Sequence, residues 1–290
     1  MTWMSLANQL ILGLSTAAIY VLVSLGLTMI FGMMNVLNFT HGVLYALGAY
    51  FSYLLVKLTG SFWLALLIAP LLVALIGMLV EHISIRPLAD RPHLIQFLAT
   101  FALALVIEQV IRLVAGNDAY AVSLPVAFAQ TLSLGSLVIP SYRLFLIVAA
   151  LMVCLAIGTL LAKTQVGALI RATSEDPEMA ALLRVNTRAV STTVFAGGSA
   201  LAALAGALAA PVFSVHPSMG EEIITMAFLV VTAGGLGSLR GTVLAAIILS
   251  QASSLGLLAV GKYSDVLTIC IMAAVFLVWP TGIFGRTEGR

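Results

Sequence analysis

Long apolar runs recur along the chain at about Asn8–Phe31, His41–Val56, Phe62–Val80, Leu94–Val114, Arg143–Ala162, Ala189–Ala210, Glu222–Ala233, Thr242–Val260 and Asp265–Trp279. About twenty helical residues, rising roughly 1.5 Å each, cross a hydrocarbon core of about 30 Å. Most of the nine stretches meet that length, so they read as membrane helices. The Phe62–Val80 run stays secure despite Pro70, because Leu64–Val80 contains no ionisable side chain. Glu222–Ala233 is the exception: about twelve residues rise only about 18 Å, which predicts a half-helix or re-entrant piece. The expected architecture is an all-α polytopic membrane protein, residues 1–290 forming one domain with eight or nine transmembrane helices.

Lys and Arg placement orients these spans, since positive loops stay in the cytoplasm. Counting nine crossings, the loops holding Arg86, Arg91, Lys163, Arg171, Arg184, Arg188, Arg240, Arg286 and Arg290 fall on one side, nine of the 13 cations. The other side receives Lys57, Arg143 and Lys262. This places the N-terminus outside and the C-terminus inside, with the parity reversed if the twelve-residue piece does not cross. Trp3, Trp63 and Trp279 lie near span ends, where amphipathic indoles favour the interface. Residues 1–9 lack Lys and Arg, so a signal-peptide n-region is not expected and the first span should be retained. The longest outer connection, Gly116–Tyr142, is apolar with Asp118 its only charge; packing against helix ends is expected, with a docking surface or shallow re-entrant turn as alternatives.

Composition narrows the classes further. The 290 residues are 62% hydrophobic and 8% charged, with a mean hydropathy of +1.16, which excludes a water-soluble globule. Thirteen Lys and Arg against 11 Asp and Glu leave no basic field for a nucleic acid. Cys154 and Cys270 sit singly in apolar runs, where a thiol acts as a small hydrophobe. His41, His82, His93 and His216 show no metal-ligand spacing.

Lys163–Arg188 stands apart as a polar, mixed-charge stretch in a chain that otherwise avoids charge. Asp176 can cap a helix whose first turn holds Pro177 and Glu178, and which should run to about Val185. Met179, Leu182 and Leu183 then share one face, with Arg184 and Arg188 near the favourable C-terminal end. An interfacial helix on lipid headgroups is one reading. Glu175, Asp176 and Glu178 argue against anionic lipid, so a docking helix for a soluble partner is preferred.

This stretch, from Gly167 through Arg171, Glu175, Asp176, Pro177, Glu178, Met179 and Ala180 to Leu182 and Leu183, resembles the cytoplasmic coupling region of LivH-type permeases of branched-chain amino acid ABC importers. Asn35-Val36-Leu37-Asn38-Phe39-Thr40-His41-Gly42 with Gly48-Ala49-Tyr50 is similar to that family's N-terminal signature. The helix from Phe195 to Gly206, His216–Gly220, and the turn Gly234-Gly235-Leu236-Gly237-Ser238-Leu239-Arg240-Gly241 extend the resemblance over nearly the whole chain, in family order. The chain departs from the pattern at Arg184, Arg240 and Thr40, where glycine, proline and alanine are usual. The resemblance implies a permease in a bacterial cytoplasmic (inner) membrane, working with two ATPase subunits, a second related permease and an extracytoplasmic substrate-binding protein. ATP and Mg would be used by those ATPases and no cofactor held by this chain.

The residues carry their own meaning. Asn35, Asn38 and His41 interrupt two apolar runs beside Gly42, giving either an inner-face turn or a broken helix lining a polar cavity; they are translocation-pathway candidates. Gly198, Ala202, Gly206 and Ala210 recur every four residues and offer a groove for close helix approach. Glu108 and Arg112, at i and i+4, can neutralise each other while snorkelling outward or could bind a solute; self-pairing is the preferred reading. Gly256–Tyr263 nearly spells a P-loop, but Tyr263 replaces the Mg-binding hydroxyl and no strand precedes it. Gly234, Gly235, Gly237 and Gly241 lack the strand–helix setting of a dinucleotide site and suit an inner turn.

The expected function is therefore inward movement of branched-chain or related neutral amino acids by ATP-driven alternating access. Import of urea or short amides is an alternative. A stand-alone ion-coupled carrier would want ionisable groups in mid-span, where only Glu108 is found, with Arg112 beside it. No paired carboxylates or HExxH point to an enzyme.

Overall fold

The computed structural model describes residues 3–89, 91–134, 137–279 and 281–284. Arg286 and Arg290, counted above for orientation, lie outside them. Eleven α-helices run in order: α1 Trp3–Met34, α2 Thr40–Thr59, α3 Phe62–Val80, α4 His93–Ala115, α5 Ser141–Lys163, α6 Gln165–Glu175, α7 Pro177–Leu182, α8 Thr187–Ala209, α9 Met219–Gly234, α10 Leu239–Val260 and α11 Ser264–Val278. The molecule is thus an all-α polytopic membrane protein. Seven of the described helices are long and apolar enough to cross a bilayer: α1 to α5, α8 and α10. The twelve-residue apolar piece lies in α9, whose 16 residues rise about 24 Å; α11, with 15, rises about 22 Å.

The chain's direction alternates between two ends. At one end Tyr120 and Val215 exchange backbone hydrogen bonds of 2.8 Å, and Tyr142 donates to the Leu208 carbonyl at 2.8 Å. At the other, cation-rich end the Ser174 hydroxyl donates to Gly32 O at 2.5 Å, and Ile283 N donates to Ala233 O at 2.9 Å. The connection between α4 and α5 is more ordered than its sequence suggests. Its segments Thr131–Leu134 (β1) and Leu137–Pro140 (β2) pair antiparallel, Ser141 N donates to Gln130 O, and Phe128 stacks on Phe145 at 4.7 Å.

Helices α1 and α8 form the axis: within each, 67% of the most apolar window is buried, against 17% in α4 and 11% in α5. Small residues explain the closeness. A Cβ on Gly206 would strike the Tyr45 carbonyl, and Gly48 faces the Ala203 backbone, so α2 and α8 approach at near-backbone distance. The four-residue stripe on α8 is therefore a packing groove. With apolar contact available from lipid as well, shape fit and buried polar pairs such as Thr28 Oγ1 with Thr242 Oγ1, 2.7 Å apart, specify the packing.

Candidate functional site

Two regions of chemical interest emerge, a broken helix with a cleft beside it and an exposed knob at the cation-rich end.

Helix α1 stops at Met34 because Asn35 takes a left-handed φ of 51°, a conformation its short amide tolerates. Residues 35–39 then turn back into the bundle. Asn38 is fully buried, and its Oδ1 accepts from the Thr40 N–H at 3.0 Å and from the Thr40 hydroxyl, starting α2. His41, also fully buried, places Nε2 2.9 Å from the Val23 carbonyl, three turns back along α1. Helix α2 therefore begins inside the body. Gly42 permits this, since any Cβ there would meet the Gly220 carbonyl and Ile224 of α9. Of the two sequence readings, the broken helix describes the backbone. Its polar groups differ in role: Asn35 is exposed, whereas Asn38, His41 and Gly42 are locked in packing.

Phe39 is the side chain that this backbone turns toward open space. It packs edge to face on Phe97 and at a tilt on Phe228, each with ring centroids 4.7 Å away, and lies 5.8 Å from Phe101. Above these rings a narrow cleft is lined by Phe39, Val43, Phe101, Leu105, Glu108 and Glu221, with Gly220 and Ile224 at its back. Its free volume of about 30 Å³ is that of about one water. Leu105 and Glu108 also border an open vestibule along one face of α4, shared with Gln109, Arg112, Leu113 and, just past the helix, Asn117. Glu108 Oε1 accepts from Arg112 Nη2 at 2.6 Å and Nε at 3.2 Å, and Arg112 Nη1 donates to Asn117 Oδ1 at 3.0 Å. The i, i+4 pair read from the sequence is thus formed, and its Glu108 borders both the cleft and the vestibule.

At the cation-rich end, Thr164 caps α6 by accepting from Gly167 N at 3.0 Å, and Asp176 caps α7 by accepting from Met179 N at 2.9 Å. Helix α7 ends at Leu182, short of the expected Val185. Arg184 is the reason: its φ of 61° is the left-handed geometry for which glycine, usual in the related pattern, is suited. Ala180 is buried, while Arg171, Glu175, Asp176, Pro177 and Glu178 are exposed. Met179, Leu182 and Leu183 are 53%, 77% and 73% exposed, an apolar face with acidic neighbours. Gly235 and Gly237 take φ of 100° and 80°, and Gly234 packs on Gly241, so these four glycines form the α9–α10 turn.

Sequence reasoning missed one cluster. Glu81, 1% exposed, accepts from Arg86 Nη2 at 2.9 Å and Nε at 3.2 Å and from the Thr192 hydroxyl at 3.1 Å, while Arg86 Nη2 also donates to Thr192 at 2.7 Å. A π-helical turn over Glu81–Ile85 brings positions five apart together. A search at helical spacings of three and four passes over this pair. The cluster clamps the end of α3 to the start of α8, directly after the exposed knob.

The family model of the branched-chain amino acid transport system, permease component, matches residues 9–276. The chain belongs to that family. The permease is 29% identical to the high-affinity branched-chain amino acid transport system permease protein LivH of Salmonella typhimurium, over 97% of its own length and 96% of the relative's. It is 28% identical to BraD of Pseudomonas aeruginosa, again over 97% and 96%, and 28% identical to a probable LivH of Methanocaldococcus jannaschii over 91% and 88%. The resemblance read from the sequence therefore holds along the permease. These relatives are permease components of transporters.

Proposed function

We propose that the protein is the membrane-spanning permease of an ABC importer for branched-chain amino acids in the bacterial cytoplasmic membrane, working with a second related permease and an extracytoplasmic binding protein. Two separate ATPase subunits bind and hydrolyse ATP with Mg, and this chain performs no covalent chemistry. ATP-driven closure of the ATPase pair presses on residues 163–188, and rigid-body motion of the bundle moves the solute path between outward- and inward-open states. The observation that carries this reading is the α7 knob, which exposes an apolar Met179–Leu182–Leu183 face ringed by Glu175, Asp176 and Glu178. It is tied through Ser174 to the end of α1, so force on the knob reaches the broken helix. The 28–29% identity to leucine, isoleucine and valine class permeases supports the solute class; urea or a short amide is the competing cargo.

The test is reconstitution of the full complex in proteoliposomes with charge reversal at Glu175, Asp176 and Glu178. Leucine uptake should fall at least tenfold. Asp176→Asn, which keeps the cap, separates lost charge from lost helix. Unchanged uptake in the triple variant would refute docking at this knob.

A further inference from the structure

The ion pair on α4 has been treated so far as two charges that silence each other. Its surroundings give it more to do. Glu108 sits about ten residues from the outer end's Asn117 and about fifteen from His93, so it lies well within a membrane span. Both its Arg112 contacts fall on Oε1; among the described residues Oε2 has no hydrogen-bond partner. Glu221, in the first turn of α9, lines the same cleft and is exposed, and its carboxylate has no ion-pair or hydrogen-bond partner among the described residues. Two carboxylates and one guanidinium leave the junction of cleft and vestibule with a net negative charge. Unpaired carboxylates at this depth are costly against lipid, and such groups face water-filled solute or ion paths.

The charges are also ordered along the path. Arg112, Gln109 and Asn117 line the outer vestibule, Glu108 stands where vestibule and cleft meet, and Glu221 lies with the apolar side chains Val43, Leu105 and Ile224 farther in. From outside inward, the lining presents a cation, then anions, then apolar surface. A neutral α-amino acid carries the complementary groups on one carbon, a carboxylate for the cation, an ammonium for the anions and an aliphatic side chain for the apolar surface. The vestibule is open along α4, whereas the cleft beyond it holds about one water, so a solute arriving from the vestibule stops at the junction.

We propose that Glu108, Arg112 and Glu221 form a recognition station for a neutral α-amino acid, with the ammonium held between Glu108 Oε2 and Glu221, the carboxylate drawn to Arg112, and the aliphatic side chain directed at the cleft. In the empty site Arg112 offsets the charge of Glu108 alone, and that pair opens to exchange partners with the solute. This assignment rests on the amino-acid reading of the preceding subsection and adds the residues that contact the cargo.

The test uses the complete transporter in proteoliposomes with its binding protein, radiolabelled leucine as probe, and co-purification of the ATPase subunits as the check on assembly. Glu108→Gln should lower leucine uptake at least tenfold, and Glu221→Gln at least threefold through a raised KM. The charge swap E108R/R112E restores an intramembrane pair but reverses the order of charges, so uptake should stay lost. Recovery of the swap to half of wild-type uptake would overturn the station, because a merely self-neutralising pair tolerates reversal. Glu221→Gln breaks no contact within the described chain and keeps the proposal exposed if the swap fails to assemble; unchanged KM and rate there would overturn it. Wild-type complex that carries leucine while these variants carry it equally well would remove the station alone. Wild-type complex that carries urea and no amino acid would remove the station and the solute assignment together.

Discussion

Removing the carboxylate of Glu81 tests how the end of α3 is held to α8. The Glu81 side chain is 2% exposed and accepts three hydrogen bonds, two from Arg86 and one from Thr192. Breaking a buried ion pair by deleting one partner costs about 3–5 kcal/mol, because the remaining charge is left without compensation. Arg86 is 33% exposed on its side chain and can turn partly to water, which places Glu81→Ala near the lower bound, about 3 kcal/mol. With a shift of about 2–4 °C per kcal/mol for chains of this size, Tm should fall by roughly 6 °C or more. Glu81→Gln keeps two acceptor lone pairs and should lose about half as much. The apolar pair E81M/R86L should recover most of the loss, since well-packed hydrophobes commonly match a buried pair. The assay is thermal unfolding of the purified permease in detergent, followed by loss of the monodisperse peak. A Tm for Glu81→Ala within 1 °C of wild type would refute the reasoning, as it would mean that the clamp bears no load.

Three further outcomes are expected. Arg184→Gly should raise stability slightly, by about 0.5–1 kcal/mol, because the left-handed φ of 61° strains a residue with a Cβ; a lowered Tm would contradict that geometry. Gly42→Val should reduce folded yield sharply, since the side chain would enter the Gly220 backbone and overpacking costs about 1–3 kcal/mol or more; size-exclusion profiles check it, and wild-type yield would show that α2 and α9 are farther apart. Asp176→Ala should cost about 1 kcal/mol through loss of the Met179 N–H cap, and Asp176→Asn much less; faster proteolysis within residues 164–188 for the alanine variant alone is the readout.

The membrane helices were legible because hydrocarbon leaves little choice: Phe62–Val80 was read with its observed bounds, and the other long spans within a few residues. The cap at Asp176 was equally plain, since a carboxylate before proline and glutamate starts a helix in almost any setting. What escaped depends on contacts between distant segments. In the β1–β2 hairpin the alternation of Thr131–Leu134 lasts only four residues and Leu137–Pro140 is apolar and ends on proline, too short a pattern to stand out beside the long apolar runs. Arg184 hid the early end of α7, because arginine signals continuation and only its backbone angle shows the stop. The Glu81–Arg86 pair needed a π turn, and the unpartnered state of Glu221 depends on how α9 meets α2 and α4. For the Asn35–Gly42 segment, sequence gave the interruption but not its depth, which is set by Val23 and Gly26 three and two turns back along α1.

The broken start of α2 has one consequence for the cation-rich half of the bundle. One helix fewer crosses there, and four phenyl groups, from residues 39, 97, 101 and 228, occupy the vacated room. Their mutual attraction is dispersive, about 0.5–1.5 kcal/mol for each ring pair beyond burial. The rings themselves share no hydrogen bond, and the polar tie beside them runs from the Phe39 N–H to Thr100 Oγ1 at 3.3 Å. Ring contacts of this kind separate at lower cost than buried polar pairs, since a polar group left unpaired in hydrocarbon costs several kcal/mol.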